Sequence, residues 1–175
     1  MILRPILAAA ALLSAATAQA QAPACIPQPE AEALFLALAP AMLTSVAGTC
    51  TPVLPTNALL RRPIGQLIAK YASDSEAAWP RAKEGLRKLL GPQGGAMVDS
   101  ELARPMVTSM IAPMLAKEVK AKDCPNIDRV LTLIDPLPAR NTASLVVALM
   151  DMSGAAKARP GRRADFVLCP REVRP

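Results

Sequence analysis

EAEALFLALAPAMLTSVA, residues 30–47, is the stretch on which the fold turns. Leu34, Leu38, Met42 and Val46 recur every four residues, and Leu36 and Leu43 widen the apolar face well beyond one stripe. A helix that is apolar over so much of its circumference needs neighbours on several sides, which places it at the centre of a helical array. Pro40 is expected to kink it, and Gly48 stands where a C-terminal cap is expected. Its most apolar part, 33–47, is about 15 residues long and holds Pro40, Thr44 and Ser45, short of the roughly 20 residues that cross a bilayer. It reads as a core helix.

Working outward, 51–57 is rich in proline and turn residues and reads as an extended connection. From 58 to 72 the positions Leu60, Ile64, Leu67, Ile68 and Tyr71 keep helical spacing, with Pro63 tolerated in a first turn. Asp74 or Ser75 then reads as a cap, Pro80 opens a further piece to Leu90, and the glycines 91, 94 and 95 end it. A long helical pattern follows from Asp99 or Ser100 to Lys122, interrupted by Pro105 and Pro113. Leu102, Met106, Met110, Met114 and Val119 are its expected inner stripe. Ile127, Val130, Leu131 and Ile134 predict another helix after Cys124, and Asn141 or Thr142 caps a last one over 143–153. No alternating strand pattern and no internal repeat occurs. The expected fold is therefore all-α, an irregular array of about five or six helices forming one domain over 21–175.

Ahead of that domain, residues 1–20 have the form of a cleavable signal peptide. Arg4 supplies the positive charge, 6–16 the apolar run, and Ala18 with Ala20 the small-residue cleavage site. A periplasmic or secreted protein is expected, with no membrane span once the signal is removed. Cys25 lacks the preceding leucine of a lipoprotein signal, since Ala22, Pro23 and Ala24 stand before it.

Charge is distributed unevenly. The chain has 20 Lys and Arg against 14 Asp and Glu, and the segment 155–175 concentrates the excess in Lys157, Arg159, Arg162, Arg163, Arg171 and Arg174. Such a segment attracts anionic lipid or polysaccharide through its field, or simply solubilises the chain. Nucleic acid is not an expected partner, because only Phe35, Tyr71, Trp79 and Phe166 are available for base stacking.

Four cysteines and no histidine decide much of the chemistry. In an oxidising compartment Cys25, Cys50, Cys124 and Cys169 are expected to form two disulfides, whereas a zinc or thiol redox site lacks both a C-x-x-C spacing and a histidine. The helix plan favours Cys25 with Cys50, across one helix, and Cys124 with Cys169, across a helical hairpin. The crossed set, Cys25 with Cys169 and Cys50 with Cys124, is the alternative.

Without histidine there is no Ser-His or Cys-His nucleophile. Carboxylate pairs suited to glycoside hydrolysis are confined to Asp128 with Asp135 and Asp99 with Glu101, each with a plainer role as a solvated or helix-end charge. Ser153 and Lys157 have the wrong spacing for a Ser-Lys dyad. Met106, Met110 and Met114, at i, i+4 and i+8, are soft ligands of the kind Cu(I) selects, but the same spacing is that of a core stripe.

No catalytic residue, cofactor or metal is expected. The expectation is a non-enzymatic exported helical protein that binds a protein or an anionic component of the envelope, through a helical groove or the basic segment. A small-ligand carrier, for an acyl chain or Cu(I), is the alternative, and a histidine-free hydrolase ranks below both.

Overall fold

In a computed structural model of the chain, which describes residues 25–153 and 167–170, the apolar stretch around Leu38 forms α1 (Gln28–Cys50). The signal region 1–20 and most of the basic segment 155–175 lie outside the described residues. Positions 36–39 of α1 are all buried. Successive residues point about 100° apart, so four in a row face all round a helix, and α1 is covered on every side at its middle. Gln28–Val53 has the length and mean hydropathy, 1.7, of a membrane-crossing helix, and half of that window is buried inside the array. Its apolar side chains are the surface on which α2, α3 and α5 pack.

α2 (Ile64–Asp99) is the long partner of α1. It runs unbroken through Asp74, Ser75 and Pro80, where the sequence suggested a new start. Asp74 and Ser75 do not cap because their side chains are engaged elsewhere. The Asp74 carboxylate accepts from Arg140 at 2.7 Å, and the buried Ser75 hydroxyl donates to the Ala37 carbonyl of α1 at 3.2 Å. Gly85 marks a close approach, since a Cβ there would lie 2.8 Å from Leu34 of α1. The break comes at Gly91, whose φ of +67° is open to glycine and strained for other residues. α2 is thus two helical rods, which makes six in the all-α array, and no strand occurs among the described residues.

α3 (Ala103–Lys117) lies against α1, with Ala103 and Val107 buried. Arg104 fixes its first turn. The guanidinium donates to the Ser75 hydroxyl at 3.0 Å, pairs with Glu76, and sits 5.8 Å from the centre of the Trp79 ring. Ser75 therefore links three helices through one hydroxyl. Of the stripe expected to face inward, Val119 packs against the Cys50–Cys124 end of the core, but Leu102, Met106, Met110 and Met114 are exposed, because the packing face of α3 is the one carrying Ala103 and Val107.

α4 (Cys124–Ile134) and α5 (Ala139–Ser153) complete the array. Lys70 of α2 donates to the Asp135 carbonyl and, at 3.5 Å, to that of Ile134, placing a cation on the C-terminal carbonyls of α4. α5 begins earlier than expected, so Asn141 and Thr142 lie inside it, and the buried Thr142 hydroxyl donates to the Pro138 carbonyl at 3.2 Å. Tyr71 packs nearby. Burial raises its phenol pKa above the ordinary value, Thr142 pulls it down, and Asp135 raises it further.

Two disulfides are present and they take the crossed pairing, Cys25–Cys169 and Cys50–Cys124, with Cα separations of 4.8 and 5.3 Å. The favoured pairing of Cys25 with Cys50 and Cys124 with Cys169 is corrected. Its premise was a helix ending at Gly48 with extended flanks free to fold back. Instead α1 continues through Gly48 to Cys50, so the return path is part of the rod, about 33 Å long by its rise per residue. Cys25 and Cys50 therefore stand at opposite ends of α1. At one end Ile26 and Leu168 form an isolated parallel bridge that brings Cys169 to Cys25, and at the other α4 starts beside Cys50.

Candidate functional site

The outward face of α3 carries a run of exposed apolar side chains; Val130 and Leu133 of α4 and Leu145, Leu149 and Met152 of α5 are exposed as well. Two four-residue stripes run along α3, offset by one position and hence by about 100°. The smaller residues, Ala103 and Val107, pack inward and let α3 come close to α1. The larger ones are left in the open: Leu102 is 65 % exposed, Met106 40 %, Met110 60 % and Met114 62 %. From Leu102 to Met114 the stripe extends about 18 Å by helix rise.

The two ends of the stripe differ in charge. Exposed Glu101 stands at the start, and Arg104 is already taken by Glu76, Ser75 and Trp79. Beyond Met114, Lys117, Lys120 and Lys122 are exposed with only Glu118 between them, and none of the three lysines has an ion-pair partner among the described residues. A long apolar face ending in free ammonium groups suits a surface that is apolar beneath and anionic on top. The thioethers add adaptability, since methionine repacks against irregular surfaces with little strain. The exposure of these three residues removes the core-packing explanation of their spacing.

The carboxylate pairs singled out in the sequence have structural partners. Asp128 accepts from the Leu60 backbone N–H at 2.8 Å and so pins the short 3-10 turn Leu59–Arg61 to α4. Asp135 lies 3.7 Å from Lys70, and Asp99 pairs with Arg87, leaving exposed Glu101 outside that contact. The Ser153 hydroxyl donates to the Met150 carbonyl at 3.0 Å, and Lys157 lies outside the described residues. All four cysteines are in disulfides, and no cluster of three His, Cys, Asp or Glu suited to a metal occurs among the described residues.

What sequence reasoning missed is the direction in which the methionine stripe faces. A signal was present in the second stripe: Ala103 and Val107, being small, are the natural residues for a close helix contact. No protein-family model, no curated protein and no solved structure matches the chain.

Proposed function

We propose that this is an exported, non-enzymatic helical module that docks peripherally on an anionic lipid surface of the envelope through the outward face of α3. The observation that carries the reading is the exposure of Leu102, Met106, Met110 and Met114 in one stripe, followed along the chain by exposed Lys117 at the end of α3 and by Lys120 and Lys122 just beyond it. Apolar side chains enter the headgroup boundary while the lysines meet lipid phosphates. The disulfides and the signal-like residues 1–20 are consistent with export, and the basic segment 155–175 adds charge of the same sign.

Co-sedimentation with phosphatidylcholine vesicles, with and without phosphatidylglycerol, tests this. Binding is expected to need the anionic lipid, to weaken with added salt, and to fall at least about tenfold in the M106S/M110S/M114S variant. Equal binding to neutral vesicles, insensitivity to salt, or full binding by that variant would overturn it.

A Cu(I) carrier is the second reading, favoured by the accessibility of three thioethers at i, i+4 and i+8. Replacing all three methionines by leucine separates the two. Lipid docking survives that change because the apolar area is kept, whereas Cu(I) binding is lost with the sulfur.

A further inference from the structure

A cleft of about 600 Å³ opens between the beginning of α1, the middle of α2 and the start of α5, on residues that the α3 face does not use. Its apolar lining is mostly small: Pro29, Ala33 and Leu36 of α1 with Ala77, Ala78 and Pro80 of α2. Its volume is in the range that holds small molecules.

Four charges line it, two of each sign and from all three helices: Glu32, Asp74, Arg81 and Arg140. Asp74 and Arg140 are paired at 2.7 Å, with the Arg140 side chain 72 % exposed. Glu32 and Arg81 line the same cleft yet have no ion pair and no side-chain hydrogen bond among the described residues. A simple anion entering this cleft meets two carboxylates, and a simple cation meets two guanidiniums. A ligand carrying both charges meets a complement for each, with guanidinium able to take a carboxylate in two parallel hydrogen bonds.

We infer that the cleft binds a short peptide of small residues with a free α-amino group and a free α-carboxylate. The ammonium is held by Glu32 and the carboxylate by Arg81, the two charges left without a partner, while the Asp74–Arg140 pair stays intact and small side chains rest against the alanines. The volume exceeds that of one small amino acid, which favours two or three residues over one.

Isothermal titration of the intact protein with tri-alanine tests the inference. Saturable binding is expected at concentrations up to about 10 mM, weakened about tenfold or more when either the amine is acetylated or the carboxylate amidated. Arg81→Gln and Glu32→Gln, which remove no internal partner, are each expected to weaken binding by a similar factor at unchanged melting temperature. The M106S/M110S/M114S variant is expected to bind tri-alanine as the wild type does, so failure of the lipid reading leaves this one standing. Absence of saturable binding, equal binding of the capped and uncapped peptides, or wild-type affinity in both charge variants would overturn it.

Discussion

α1 and α3 carry apolar residues at the same four-residue spacing, yet α1 is buried on every side at its middle and α3 turns Met106, Met110 and Met114 outward. The difference comes from position. α1 has α2, α3 and α5 against it, whereas α3 lies at the margin of the array and leans chiefly on α1. A marginal helix needs one packing face, and here it is the one that carries Ala103 and Val107. Leaving Leu102, Met110 and Met114 more than half exposed forgoes the roughly 25 cal/mol that each Å² of apolar surface gains on burial.

The widest contrast should come from the clamps on α1. Replacing Cys25 and Cys169 by serine releases a constraint between residues 144 apart, and replacing Cys50 and Cys124 releases one between residues 74 apart. Chain entropy then gives losses of about 5 and about 4 kcal/mol, readable in guanidinium unfolding, with the outward face of α3 untouched. A loss under about 1 kcal/mol in both would mean that the ends of α1 are not held this way.

Next come single side chains. Leu38→Ala on α1 is expected to cost about 2–5 kcal/mol, whereas Met110→Ala on α3 should stay within about 0.5 kcal/mol. Similar costs at both sites would dissolve the comparison. Ser75→Ala, which strips the hydroxyl shared by Arg104 and the Ala37 carbonyl, is expected to cost about 1–3 kcal/mol. Because that hydroxyl ties α3 down, amide exchange should rise in α3 more than in α1, and the reverse order would count against the tie.

The smallest effect is in pH. Burial, the largest cause, raises the Tyr71 phenol above its ordinary value of 10.0, so the folded state holds that proton more tightly than the unfolded chain. The contribution is complete below pH 10 and is lost as pH rises through the folded-state value. Tyr71→Phe should flatten that alkaline decline. An unchanged slope would assign it to other groups.

The helices themselves are legible in the sequence because their apolar spacing is regular, and the central place of α1 follows from how far its apolar face spreads. Helix ends are less legible, for a reason visible at particular residues. Gly48 resembles a cap but is an ordinary helical position, and Asp74 and Ser75 resemble caps but serve Arg140 and Ala37 across the array. A polar residue reads alike in sequence whether its partner is its own backbone or another helix. The disulfide pairing depended on one such end, since two further residues of helix moved Cys50 out of reach of Cys25. The orientation of α3 was obscured because two stripes of the same period compete for the core, and spacing alone does not choose between them. The charged cleft was not legible at all, since Glu32, Arg81 and Arg140 meet only through the packing of three helices.

Methionine oxidation followed by mass spectrometry, with and without anionic vesicles, tests the outward face of α3 most directly. With limiting peroxide, Met106, Met110 and Met114 are expected to become sulfoxides several-fold faster than Met42, which packs against the core, and phosphatidylglycerol vesicles should slow those three. Oxidation of the three at the rate of Met42, or no protection by the vesicles, would contradict it.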